Sequence, residues 1–265
     1  MQPDSSVFEM IQKINPKILP MDICQTSLDW LEKYVHQWFS LHVPEHGEIW
    51  FADENAKGLS SNFPTNDRSV EVILTGSFLL RVLESKLWPF KKCRFWVLSM
   101  SIKNILVSTL KLPEDAIGII SRDSCSSNQG HLDFSKPVNF VYAGRLSFSK
   151  NVTGLLRLVS CLQTQFNCNV TLDIFGDPDD LHDDSYGRFN PYSMTSLIHS
   201  LINELKWITP PTLHGRVEPN KWLSLKRNAP CFVSLSTSMY EDFGVAAEEA
   251  KLASWPCLLS NWGGH

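Results

Sequence analysis

Residues 234–250, SLSTSMYEDFGVAAEEA, decide how the rest of the chain is read. The residues that lead into them, Cys231-Phe-Val-Ser-Leu, form a short apolar run of the kind a buried strand uses. Small polar residues follow, then the acidic pair Glu241 and Asp242, then Phe243 and Gly244. From Val245 the sequence VAAEEAKLA is built of helix formers. The unit is therefore strand, turn, helix, with the turn at the strand's carboxyl end, where open α/β sheets place their ligands. Free amides of Phe243, Gly244 and Val245 at the start of that helix would favour an anion. Gly244 has no side chain to keep a phosphate or a sugar away from the backbone.

Two carboxylates frame the turn. Glu241 precedes the helix and is expected over the ligand side. Glu249 lies inside it, with Val245 at i−4 and Leu252 at i+3 on the same face. A carboxylate on a partly apolar face needs hydroxyl or amide partners. The plainer reading makes Glu241 a helix-start acid favoured by the dipole and Glu249 a solvated helix residue.

The spacing of Glu241 and Glu249, with seven residues between them, resembles the E-x7-E motif of family 4 retaining glycosyltransferases, which have the GT-B fold. The surrounding residues resemble that family too: Tyr240-Glu-Asp-Phe-Gly, then Glu249-Ala250, Trp255-Pro256-Cys-Leu-Leu and Gly263-Gly264. A separate segment, Phe140-Val-Tyr-Ala-Gly-Arg-Leu-Ser-Phe-Ser-Lys150-Asn, is similar to the strand and G-R-L-x-x-x-K turn that open the family's donor domain. Leu172-Asp-Ile-Phe-Gly176 and Leu213-His-Gly-Arg-Val217 fall where its next strands belong. The likeness covers about half the chain, from near Pro137 onward, and its weight lies in the order and spacing of the segments.

The resemblance implies transfer of a sugar, with retention, from a UDP- or GDP-sugar to a glycan, lipid or protein acceptor. It implies catalytic roles for Glu241, Arg145 and Lys150. Gly144, Val217, Asp242, Phe243, Gly244, Val245 and Glu249 would bind the donor. Arg145 and Lys150 would converge on the diphosphate, the one as a planar fork and the other as a point charge. Glu241 would hold sugar hydroxyls, Glu249 ribose hydroxyls, and Val217 would lie near the base. Cationic side chains and amides would do the work of a metal, so no metal or other cofactor is expected.

Composition bounds the alternatives. A hydrophobic content of 43% with 20% charged residues is that of a globular chain, which excludes wholesale disorder. A net charge of −4 gives no support to a nucleic-acid partner. No apolar run is long enough to span a bilayer, and the first ten residues lack a signal-peptide core. Seven cysteines without a C-x-x-C pair, several in apolar runs, suit reduced buried thiols. Together these predict a cytoplasmic protein.

Ahead of the donor segment, residues up to about 41 read as helices, at 5–14 and 26–39. His42-Val-Pro-Glu-His46 fits the H-x-x-E-H zinc signature formally, but Pro44 and Gly47 deny it the helix the motif needs. From 48 to 121, strands at 49–52, 70–75, 95–99 and 116–120 alternate with helices at 77–88 and 101–110, which predicts a parallel sheet. Residues 86–96, KLWPFKKCRFW, mix basic and aromatic side chains. They read as a helix end whose aromatics enter the core, with peripheral membrane contact as the alternative. No Gly-rich loop like the family's amino-terminal one precedes this region, and Thr75-Gly76-Ser77 stands where the family often has a histidine.

The expected organisation is α/β and GT-B-like: two Rossmann-like lobes with parallel sheets. Residues 1–122 form an atypical or incomplete acceptor-side lobe. Residues 123–136 form a polar linker, and 137–265 the donor lobe, whose ending after Gly263-Gly264 is shorter than the family's. Two other readings compete. A catalytically inactive nucleotide-sugar-binding or partner-binding module would explain the missing acceptor elements. A metal-dependent GT-A-like transferase would use the D-x-D of Asp177 and Asp179.

Overall fold

The computed structural model describes the strand backbones at 18–20, 48–52 and 70–74. It further describes residues 93–119, 132–133, 135–178, 191–224, 229–237, 241, 244–261 and 263. The chain divides into two compact units whose bodies are residues 1–122 and 123–263.

The first unit is a five-stranded parallel sheet whose spatial order is its chain order. Its strands are β1 (Ile18–Pro20), β2 (Glu48–Ala52), β3 (Val70–Leu74), β4 (Cys93–Val97) and β5 (Ile117–Ile119). Each pairs in parallel with the next. Helix α1 (Met100–Leu110) joins β4 to β5, and Ser99 caps it by accepting from the Ile102 amide at 3.3 Å. That cap explains why β4 stops at Val97 and not at the expected 99: Ser99 belongs to the helix. β1 corrects the reading of residues up to 41 as helical. A three-residue Ile-Leu-Pro run is too short to show alternation, and its proline suits an edge strand. The helices expected at 5–14, 26–39 and 77–88, the His42/Glu45/His46 motif and residues 86–92 lie outside the described residues. At the end of that basic-aromatic stretch, Phe95 and Trp96 are buried, and the exposed Arg94 lies 4.6 Å over the Trp96 ring.

The second unit is a doubly wound α/β layer. Its strands are β6 (Val138–Ala143), β7 (Val170–Phe175), β8 (Thr212–Leu213), β9 (Pro230–Ser234) and β10 (Cys257–Leu259). They lie in the order β10-β9-β6-β7-β8, all parallel. Alternate residues of the central strands feed two cores. Phe140, Tyr142, Leu172, Ile174, Cys231 and Val233 pack with α2 (Val152–Thr164) and α3 (Pro191–Glu204). Val141, Phe175 and Phe232 pack with Trp222 of α4 (Pro219–Leu223) and Ala247 and Ala250 of α5 (Val245–Leu252). Burial on both faces is why these strands read as mostly apolar runs, broken by Asn139, Thr171 and Asp173, and not as alternating ones. Leu132, inside the expected linker, packs against the first of these cores.

Two buried polar clusters stitch the layer together. Gln163 on α2 donates to the carbonyls of Val170 and Thr209, and accepts from the amides of Ile208 and Thr209, all within 3.1 Å. On the sheet face, Asp173 accepts from the Asn139 amide at 2.9 Å and sits 2.6 Å from His214 Nε2; the His214 ring stacks on Phe175.

Candidate functional site

In the second sheet the chain runs from β6 outward through β7 to β8, then returns to the other side of β6 to form β9 and β10. The strand order therefore reverses between β6 and β9. Loops leaving two strands in opposite directions at such a reversal part at the carboxyl edge, and the crevice between them is where this architecture binds ligands. The loop after β6 carries Gly144, Arg145 and Lys150, and the loop after β9 carries Glu241 and Gly244.

Lys150 and Glu241 meet across this crevice. Nζ of Lys150 lies 2.5 Å from Oε2 of Glu241, with the lysine side chain 19% exposed and the carboxylate side chain 7%. The sequence assigns Lys150 to a diphosphate and Glu241 to sugar hydroxyls; it does not foresee that the two pair across 91 positions. Their loops are clasped by hydroxyl residues. The Ser149 carbonyl accepts from the Thr237 amide at 2.8 Å, the Ser236 hydroxyl at 3.3 Å and the Thr237 hydroxyl at 3.4 Å. Ser260, just past β10, donates its amide to Ser234 and its hydroxyl to the Ser236 carbonyl. Three strand ends, β6, β9 and β10, are thus joined around the crevice. Sequence reasoning passed over Ser149, Ser236, Thr237 and Ser260. Their signal was serines and threonines gathered just past apolar strands, where hydroxyls serve backbone groups that strands no longer satisfy.

Gly244 has φ 65° and ψ 50°, a left-handed conformation, and no side chain caps the helix α5 that follows, which begins at Val245 as expected. Glu249 is 7% exposed, so it is not the solvated alternative; its neighbour Glu248 pairs with Lys251. Arg145 is exposed at the carboxyl end of β6, and its carbonyl accepts from the Tyr142 hydroxyl at 2.6 Å. β8 ends at Leu213, earlier than the expected strand through Val217. Gly215, at φ 68°, turns the chain there. Val217 lies past that turn, half-buried against the α4/α5 core. Asp242, Phe243 and Asp179 lie outside the described residues. The Asp177 carbonyl accepts from the Leu146 amide, which ties the loop after β7 to the loop after β6. No group of three potential metal ligands occurs among the described residues. Burial pushes the Cys231 thiol up to about 12 and the Cys257 thiol to about 11, so both stay neutral, at the starts of β9 and β10.

The sequence model of the family described as glycosyl transferases group 1 matches residues 127–265. A comparison with curated protein sequences gave no match. Among solved structures, an E. coli trehalose-6-phosphate protein bound with UDP-2-fluoro glucose is similar at a TM-score of 0.57 and 11% identity, over 91% of this chain and 66% of that one. A UDP-forming α,α-trehalose-phosphate synthase from Burkholderia xenovorans matches at 0.54 and 12%, over 82% and 60%. The lipopolysaccharide outer core galactosyltransferase WaaB, in its apo form, matches at 0.53 and 15%, over 91% and 64%. The chain spans less than two thirds of the length of each. These likenesses establish the GT-B-like α/β fold. Among the described residues, no helix is long and apolar enough to cross a membrane.

Proposed function

The chain belongs to the glycosyl transferases group 1 family, and on that premise we propose that it transfers a sugar, with retention, from a UDP- or GDP-sugar to a glycan, lipid or protein acceptor. The observation that carries this reading is the Lys150–Glu241 pair at the strand-order reversal. A cation and a carboxylate at one ligand crevice match the two ends of a nucleotide-sugar's reacting bond. Lys150 would take the charge that builds on the diphosphate as the glycosidic bond breaks, with Arg145 beside it and the α5 amides after Gly244 adding their dipole. Glu241 would hold the hydroxyls of the donor sugar, and the buried Glu249 those of the ribose. These groups supply the stabilisation a metal would otherwise give, so binding should not need one. No nucleophile is assigned to the protein: the acceptor would attack on the face the diphosphate leaves. The UDP-sugar bound to the E. coli neighbour makes uridine nucleotides the first to try.

Calorimetric titration with UDP, GDP and their common sugar conjugates, with and without EDTA, tests the reading. The expected result is EDTA-insensitive binding of one base, lost in Arg145→Ala and weakened in Glu249→Ala. A well-folded protein that binds none of these ligands would sink it. Binding that EDTA abolishes would instead favour a metal-dependent site.

A further inference from the structure

The loop that carries Gly144 and Arg145 leaves β6, but much of what holds it belongs to β7. We propose that Gly176, the first residue past β7, is a positioning residue for the diphosphate. Its lack of a side chain sets the Gly144–Arg145 peptide, and through it the place of the Arg145 guanidinium. Gly176 would act through Arg145 and not on the donor itself. The inference rests on the donor reading and deepens it.

Past their strand ends β6 and β7 continue to pair through backbone alone. The Gly144 amide donates to the Phe175 carbonyl and the Leu146 amide to the Asp177 carbonyl, each at 3.0 Å. Leu146 and Pro178 form an isolated parallel bridge. Gly176 lies inside this seam at φ 135°, a conformation that residues with a side chain rarely adopt. A Cβ there would overlap the Gly144 carbonyl oxygen and come within 2.9 Å of its carbon. Those atoms are backbone, so no side-chain torsion relieves the overlap. Nor is there slack behind Gly176, whose own amide already donates to the Gly215 carbonyl at 2.8 Å.

The contacts on either side show which part must give. Gly144 is held at its amide by Phe175. The next hold comes at the Arg145 carbonyl, which accepts from the hydroxyl of the buried Tyr142 at 2.6 Å. Between those anchors lies one planar peptide, and it can yield only by turning about its flanking bonds. Arg145 begins at the nitrogen of that peptide, so its Cα–Cβ direction turns with it. The guanidinium rides at the end of a long side chain and grips a phosphate as a planar fork, which depends on direction as well as distance. A misplacement on the order of 1 Å is enough to loosen such a contact.

The test is calorimetry on the full chain with whichever of UDP and GDP the wild type binds. Gly176→Ala should bind it about 10-fold more weakly, a part of what a whole charge-assisted contact is worth. Tyr142→Phe keeps the ring, frees the Arg145 carbonyl and should cost about 3-fold. Both variants are then repeated in an Arg145→Lys background. Lysine offers a point charge on a flexible stem and is indifferent to the direction of a fork, so there each loss should shrink below about 2-fold. General loosening of the fold would weaken binding equally in the two backgrounds. Equal losses, or affinities unchanged in the folded variants, overturn the proposal and leave the donor reading standing. Should Gly176→Ala fail to fold, Tyr142→Phe decides by the same comparison. A wild-type protein that binds neither nucleotide removes the donor reading and the proposal with it.

Discussion

Among the described residues the two sheets each contain five parallel strands, and the strand order reverses in the second. In the first, β1 to β5 lie side by side in chain order, so each crossover steps the same way. In the second, the order reverses between β6 and β9, and there the loops part. The Lys150–Glu241 pair and the serine clasp sit at that point, where the strand order reverses.

The largest expected effect attacks the reversal itself. The strands beyond it, β9 and β10, carry Cys231 and Cys257, whose thiols burial raises from 9.0 to about 12 and about 11. In each case the folded pKa lies above the unfolded one, so the stabilisation is fully present below pH 9. It is lost as the pH climbs from 9 toward 11 and 12, because only the unfolded chain sheds the proton. Circular dichroism between pH 8 and 12 should show the second unit losing stability above pH 9, with nucleotide binding lost in the same range. Cys231→Val and Cys257→Val should both move that loss to higher pH. An alkaline limb indifferent to both substitutions would refute the assignment.

Next in size is Gln163→Leu. Its amide serves four backbone groups at the edge of the sheet opposite the crevice. An orphaned buried group costs about 1–3 kcal/mol, so the variant should lose about 3 kcal/mol or more in urea unfolding. Nucleotide affinity of the folded protein should not change. Lys150→Ala should do the reverse in emphasis: nucleoside diphosphate affinity falls about 30- to 150-fold, the worth of a charge-assisted contact of about 2–3 kcal/mol. A lysine loss without effect on the affinity would mean that the crevice is scaffold and not site.

How much of this could be read from the residues follows the same division. The second unit was legible through the order of its family-like segments, helped by the mostly apolar strands at 138–143, 170–175 and 230–234. Glu241 and Lys150 were legible through the E-x7-E spacing and the G-R-L-x-x-x-K turn that resemble the family's. The clasp was not: a hydrogen bond from Thr237 to a carbonyl 88 positions away leaves no local pattern. Nor was β1, three residues ending in proline. Glu249 could be placed on its helix from spacing, but its burial depends on how α5 lies on β9, which no periodicity states. Val217 was expected at a strand end because Leu213-His-Gly-Arg-Val217 falls where the family has a strand, yet Gly215 turns the chain first.

The smallest effect belongs to the first sheet and sharpens the contrast. Gly118 on β5 pairs with Trp96 on β4, and a Cβ at Gly118 would collide with the six-membered ring of that indole. Trp96 is buried, with Arg94 stacked over the ring, so it can yield only by disturbing that stack. Gly118→Ala should therefore cost about 1–2 kcal/mol, in the range of mild overpacking, and lower the thermal midpoint accordingly. The arginine–indole contact offers a direct readout, since tryptophan fluorescence should shift as the ring moves. If strand order confines nucleotide binding to the second sheet, UDP affinity in this variant should match wild type within error. A Gly118→Ala protein that folds yet binds nucleotide several-fold more weakly would show that the first sheet does contribute to the site, and that its unbroken order is not the reason it lacks one.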